Sequence, residues 1–334
     1  MSQVRQQSVE PRNEAPGDGG EVPPAAASPA IAVLIPSYRR PADLERCLRA
    51  VMAQECRAQQ IITVLRHDDE LSRAVIERAR VREPQIEVVL VSVPGVVAAL
   101  NAGLAVVRTD IVAFTDDDAA PRPDWLRRMS GHYAADPALG GLGGRDWIHQ
   151  HGRLEDGSRR TVGRLTWLGT CIGNHHLGVG PMREVDALKG VNMSFRIVAL
   201  AGIRFDTRLR GTGAQVGNEL GVSLAVKRAG WKLAYDPQLA VDHFPSVRHD
   251  VDQRGIFAPE ALANSTFNET LVLCEHLPAP RRLLFIAWAL FVGSRAMPGL
   301  LQFVRLCLKD GRGPATARWR VARRARLEAW ACCA

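Results

Sequence analysis

The chain has no CxxC pair, no GxGxxG behind its first apolar run and no Walker A phosphate loop. It also has no uninterrupted apolar stretch of the roughly 18 residues that a spanning helix needs. Each absence removes a class of function. The seven cysteines (47, 56, 171, 274, 307, 332 and 333) are scattered, so neither a zinc site nor a disulfide framework is expected, which fits a reducing compartment. The missing glycine fingerprint argues against a dinucleotide-binding dehydrogenase. Gly140-Gly-Leu-Gly-Gly is only superficially a phosphate loop, because no Lys-Ser/Thr follows it. It reads as a close-packed strand or turn. The start of the chain lacks the basic-then-apolar pattern of a signal peptide.

What is present is an ordinary globular composition. The 334 residues, 46% hydrophobic and 23% charged, suffice for one large domain or two modest ones. A net charge of +8 points to anionic partners: a nucleotide, a phospholipid head group or nucleic acid. The charge is unevenly spread, with Arg281, Arg282, Lys309, Arg312, Arg318 and further arginines crowding the last part.

Residues 1–29 are rich in Pro, Gly, Glu, Gln and Ala without apolar periodicity and read as a disordered tail. From Ile31 onward, strand-like runs alternate with helical spacing. Ile31 to Ile35 is a buried strand closed by Pro36-Ser37, and Leu44, Cys47, Leu48 and Val51 follow on one helical face. Ile61 to Leu65 and Ile86 to Val91 are two further strands, each with a helix after it. The pattern predicts an α/β fold with a Rossmann-like, mostly parallel sheet flanked by helices. The polar strand ends then gather on one edge, the place where such sheets bind ligands.

Ile111 to Phe114 leads that edge into Asp116, Asp117 and Asp118, with Pro121 closing the stretch. Three carboxylates at a strand end are costly unless a cation sits among them, and a divalent metal carrying a phosphate answers that need. An acidic turn is the plain alternative. Residues His149 to Met182 form a long irregular segment of the kind that serves as a lid. For its pair His175 and His176, sugar contacts or plain surface are favoured over metal ligation. Glu219 opens a helix stopped by Gly230, and its carboxylate is favoured there by the helix dipole. Lys232 to Asp236 and Leu239 to His243 read as two short strands around Pro237.

Six pieces in this order resemble the family 2 glycosyltransferases of GT-A fold: IPSYRR, the Asp68-Asp69 pair, ALNAGL, FTDDDAAP, GVNMSFR and NELGVSLAVKRAGWKLAYDPQLAVDH. The resemblance covers about Ile31 to Pro245 and divides the chain into a tail (1–29), a GT-A domain (30–250) and a helical, basic C-terminal extension (251–334). It implies a nucleotide-diphosphate sugar as donor, a UDP-sugar first among them, and a divalent metal, Mn2+ or Mg2+. Pro36, Ser37, Tyr38 and Arg39 are then expected at the nucleoside. Asp68 or Asp69 is expected to accept a hydrogen bond from the base. Asn101, Asp116, Asp117, Gly190 and Asn192 complete the nucleotide-sugar set. Asp118, Asp116 and His243 are the metal residues and Glu219 the catalytic base of an inverting displacement.

Four positions depart from the family pattern. Its Glu-Asp followed two residues later by Asp is Asn218-Glu219 with Gly221, and an arginine frequent before the DxD strand is Leu100. If the aspartate segment is extended, Asp117 turns away from Asp116 and Asp118, and its replacement costs little.

Arg281 to Gly293 is apolar all round and framed by cations, and Leu300 to Leu308 continues its character. This suits a helix lying in a membrane interface, with packing on the domain or on a dimer partner as the alternative. The expected setting is cytoplasmic, peripheral on the inner face of the plasma membrane, with a glycan or lipid-linked acceptor. Nucleic acid is not an expected partner, since no groove-reading motif is visible. Two rival readings from other classes rank below the transferase: a nucleotide-sugar binder with a dead site and, from the basic tail, a nucleic-acid binder.

Overall fold

The computed structural model describes residues 28–150, 152–247 and 257–333. The proposed tail lies almost wholly outside these residues, as does the expected domain boundary at 250.

The first half alternates as its periodicity predicts: β1 (Ile31–Ser37), α1 (Pro41–Met52), β2 (Gln60–Arg66), α2 (Glu70–Arg80), β3 (Ile86–Val91), α3 (Val96–Leu104) and β4 (Ile111–Phe114). The middle comprises β5 (Ala119–Pro121), α4 (Trp125–Ala135), β6 (Leu139–Gln150), β7 (Arg153–Leu154), β8 (Arg164–Leu165), β9 (Cys171–Ile172), β10 (Arg183–Glu184) and β11 (Met193–Arg196). Then come α5 (Asn218–Arg228), β12 (Lys232–His243), α6 (Pro259–His276), α7 (Ala279–Phe291), α8 (Leu300–Asp310) and α9 (Arg312–Ala331).

One large sheet carries the order β10-β12-β6-β11-β4-β1-β2-β3, with β5 added on β12 and β7 on β6. The β4-β1-β2-β3 half is parallel, whereas β11 runs antiparallel between β4 and β6. Both faces are covered, so β1 and β4 run as unbroken apolar stretches, with Ile31 to Ile35 and Ile111 to Phe114 all buried. Side chains alternate across the sheet: Ile31, Val33 and Ile35 join α1 and α4, while Ala32 and Leu34 join α3 and Phe114.

That second core layer runs on without a break into the C-terminal helices. It holds Phe114 and Phe195 of the sheet together with Phe267 and Leu271 of α6 and Ala325 and Ala329 of α9.

Two local expectations are corrected. The residues on either side of Pro237 form one strand, β12, which pairs with β6 before and after that proline. A bulge interrupts it, for Asp236 pairs with Gly144 and Ala240 with the next residue, Arg145, leaving residues 237–239 looped out. The glycine run lies inside β6 because its neighbours come too close for side chains. A Cβ on Gly144 would stand 1.6 Å from the Leu239 carbonyl oxygen.

Candidate active site

The C-terminal ends of β1, β2 and β4 meet on one edge, and the turn after β1 decides which arginine faces inward. Arg39 has φ of 57°, the left-handed region that a non-glycine residue rarely occupies. Its guanidinium lies outward, 3.1 Å from Asp68 and 5.0 Å from the Tyr38 ring centre. Arg40 instead reaches the aspartates, 2.8 Å from Asp117 Oδ1 and 3.5 Å from Asp118 Oδ2. Arg39 thus faces outward beside Asp68 and Tyr38, and Arg40 is the cation the sequence reading missed. The doubled arginine signalled a cation here but not which of the two turns in.

The aspartates lie in a turn, closed by the Ala119 N–H donating to the Asp116 carbonyl at 3.2 Å. Strand alternation therefore does not apply to them, and the expectation for Asp117 is corrected. Asp117 is buried, accepting from Ser37 Oγ at 2.8 Å as well as from Arg40. Burial drives its carboxyl up to about 7 against the pull of Arg40 and Ser37. Asp118 goes the other way. Burial opposes its ionisation, but His243, the Ser246 N–H at 3.0 Å and Arg40 together hold it at about 2. Half-buried Asp116 is shifted upward by burial and by the charge of Asp118.

His243, at the end of β12, stands between two carboxylates. Its Nε2 is 3.4 Å from Asp118 Oδ1 and its Nδ1 3.4 Å from Asp146 Oδ2. Burial disfavours the imidazolium, yet the two carboxylates outweigh it and raise the ring to about 9. Asp146, fully buried on β6, is also paired with Lys189. Neither Asp146 nor Lys189 was legible as a site residue, because the pairing of β6 with β12 brings together positions far apart in the chain.

One feature of this cluster bears on a metal. Asp118 Oδ1 and His243 Nε2 are buried and have no hydrogen-bond partner, an arrangement that ordinarily costs free energy. Asp116, Asp118 and His243 each offer a ligand atom, all within 4.8 Å of one another. Two carboxylates and an imidazole suit a divalent cation such as Mn2+. The residues present fit the group.

Other expected residues are placed differently. Asp69 caps α2, accepting from the Ser72 N–H at 3.1 Å and from the Arg39 N–H. Asp68 stays half-exposed beside Tyr38, Arg39 and Arg66. Of the pair, Asp68 is thus the one open to a ligand. Asn101 is corrected from ligand contact to clamp: both ends of its amide bond the Phe205 backbone, at 2.8 and 3.0 Å. Asn192 is likewise spent, accepting from Trp125 Nε1 at 2.9 Å and donating to the Leu239 carbonyl at 2.8 Å. It holds the bulge of β12 in place. His175 is buried on the Ala187 carbonyl, 3.0 Å away, and His176 lies 3.4 Å from Glu155.

Two cavities open on this edge. The first, about 200 Å³, is lined by Pro36, Ser37, Tyr38, Arg40, Arg66 and the three aspartates. The second, about 430 Å³, is lined by Lys189, Gly190, His243, Asn218 and Glu219 among others. Pro36, Val96, Asp116 and Ala214 border both, so the cavities meet at Asp116. Glu219 is half-buried in the first turn of α5. Gly221, where the family carries an acid, packs on Val272 of α6, and Asn218 bonds the backbone carbonyls of Ala214 and Gln215. Leu100 borders the second cavity, where Lys189 is the cation.

The sequence profile described as "Glycosyl transferase family 2" matches residues 32–208. A glucosyl-dolichyl phosphate glucuronosyltransferase of Haloferax volcanii is 27% identical over 159 residues, 43% of this chain and 48% of that protein. A pre-mycofactocin glycosyltransferase of Mycobacterium tuberculosis is 49% identical over 45 residues, 14% of this chain and 9% of its own. The chain thus spans about half or less of the curated relatives it matches. Among solved structures, GalNAc-T7 with UDP, GalNAc and Mn2+ aligns with a TM-score of 0.60 at 13% identity, covering 74% of this chain and 48% of that one. S. aureus TarS 1-349 aligns with a TM-score of 0.58 at 13% identity, covering 90% and 80%. The fold is that of these GT-A glycosyltransferases.

Proposed function

The chain belongs to glycosyl transferase family 2, and from that membership we propose that it moves a sugar from a nucleotide-diphosphate donor to an acceptor hydroxyl with inversion at the anomeric carbon. One observation carries the reading: Asp116 lies at the seam of two cavities, with Asp118 and His243 beside it and Glu219 across the larger one. The nucleoside goes to the cavity of Pro36, Ser37 and Tyr38, and the sugar and acceptor go to that of Glu219.

Asp116, Asp118 and His243 would hold Mn2+ or Mg2+, which when bound offsets the charge of a departing diphosphate. The protein's own part is to place charge and move one proton. Arg40 and Lys189 bring cations to the two cavities, so the absence of an arginine at position 100 leaves the diphosphate with counter-charge. Glu219 takes the proton of the acceptor hydroxyl at its carboxylate. The freed oxygen pair forms the bond to the anomeric carbon as the bond to the diphosphate oxygen breaks on the opposite face. The first turn of α5 favours the anionic form that this role requires.

A UDP-sugar is the first donor to try, since UDP accompanies the structurally similar GalNAc-T7. The name of the haloarchaeal relative specifies a dolichyl phosphate, which supports a lipid-linked acceptor and a product in glycolipid or surface polysaccharide synthesis. Nucleotide sugars screened for release of the nucleotide diphosphate with Mn2+ test the reading. Metal-dependent release from one donor is expected. Tight nucleotide-sugar binding with no turnover under any metal would make the protein a binder instead.

A further inference from the structure

We propose that α7, α8 and the β8–β9 hairpin form a docking surface for an anionic lipid bilayer, on which the protein lies without crossing. The argument is independent of the chemistry proposed above. No helix among the described residues is long and apolar enough to span a membrane. Yet α7 turns Leu283 and Phe291 to solvent, and α8 turns out Leu301, Val304 and Leu308 at helical spacing. Leu308 is 87% exposed, the reverse of what a water-facing helix selects. Apolar residues at this density on the outside of a chain mark a surface made to be covered.

The hairpin adds what the C-terminal sequence alone did not reveal. Its tip is fixed to α7, for Arg281 donates to the Thr166 carbonyl at 2.8 Å. Gly169 leaves room only for the Phe285 ring, whose Cδ2 lies 2.7 Å from where a Cβ would be. Trp167 is thereby held 72% exposed beside the start of α7, with the Arg281 guanidinium 5.4 Å from its ring centre. A tryptophan presented to solvent next to cations suits the head-group layer, where one face is apolar and the edge is polar.

Charge selects the occupant. Between Ala279 and Arg312 there are six cations, Arg281, Arg282, Arg295, Arg305, Lys309 and Arg312, and a single acid, Asp310. That acid is paired with Arg318 of α9 at 3.8 Å. A second copy docked on the same face would set these cations against their own duplicates, which is repulsive. An anionic lipid surface neutralises them while the apolar side chains enter the acyl boundary.

Flotation of the full chain with vesicles tests this. Recovery with vesicles containing phosphatidylglycerol, but not with phosphatidylcholine alone, is expected, and high salt should weaken it. Arg305→Glu with Lys309→Glu should lower partitioning by about fivefold or more for each cation replaced. Trp167→Ser with Leu308→Ser should lower it too, while donor hydrolysis in lipid-free buffer and the melting temperature stay unchanged. Wild-type protein that stays off anionic vesicles overturns the proposal, as does flotation of both variants at the wild-type level. A wild-type dimer that the serine variant converts to monomer, with no vesicle binding, assigns the face to a second copy. Loss of flotation with hydrolysis intact separates this surface from the transferase chemistry.

Discussion

Asp118 Oδ1 and His243 Nε2 face each other 3.4 Å apart, both buried and neither hydrogen-bonded. With Asp116 the pair offers three ligand atoms within 4.8 Å of one another, the set proposed above to hold the metal. Asp118→Asn and His243→Ala should each weaken Mn2+ binding in calorimetry, and lower metal-stimulated donor hydrolysis by about 10²-fold or more. Chelation by EDTA should reduce wild-type activity to the level of these variants. Undiminished Mn2+ binding in both variants would sink the assignment.

Glu219→Gln keeps size and helix position but removes the proton acceptor. Transfer should fall by about 10²–10⁴-fold, with donor affinity nearly unchanged. Steady-state kinetics separates the two: near-wild-type kcat in the glutamine variant would place the base elsewhere.

Asp117 is a test of packing more than of chemistry. Asp117→Ala leaves the Arg40 guanidinium and the Ser37 hydroxyl without their shared partner. A loss of about 2 kcal/mol in denaturant unfolding is expected. Asp118→Asn, which keeps an acceptor for the Ser246 N–H, should cost more activity than Asp117→Ala.

His175 sets an acid limit. Burial pushes its ring down to about 4 in the folded protein, from an ordinary value of 6.5. Between those values the unfolded chain binds a proton that the native state refuses, so stability rises with pH across the window. Acidification from neutral pH to about pH 4 should cost about 3 kcal/mol on this account. His175→Gln retains a donor for the Ala187 carbonyl and should flatten the acid side of the stability profile. An unchanged profile would refute it.

Gly144→Ala should be among the most destabilising single changes in the chain, about 3 kcal/mol or more, because its methyl meets backbone. Gly190→Ala, with no atom within 4 Å of the added carbon, is the control. Equal melting temperatures for the two would contradict the packing.

The parallel half of the fold was legible because continuous apolar runs and helical spacing alternate cleanly up to Phe114. Glu219 and His243 were found by likeness to a family rather than by pattern. What escaped depends on tertiary pairing. Arg40 rather than Arg39 turns inward because of one left-handed residue. Asp146 and Lys189 reach His243 only once β6 and β12 lie side by side. Asn101 and Asn192 have the side-chain chemistry of ligand contacts but are spent on backbone groups that only the fold brings near. The Trp167 hairpin was invisible for the same reason, since α7 fixes it from more than a hundred residues away.

The bulge in β12 works as a spacer with a fixed count. Residues 237–239 are looped out opposite the junction of Gly144 and Arg145, and the Asn192 amide and the His132–Asp236 pair at 2.8 Å pin the loop on either side. An odd number of looped-out residues reverses the up-and-down phase of everything that follows. If the bulge kept three residues while one residue was added or removed beside it, the register of the second half on β6 would slip by one and turn the His243 ring to the opposite face of the sheet. The register that resumes after the bulge, Ala240 on Arg145, decides whether the edge has an imidazole to offer.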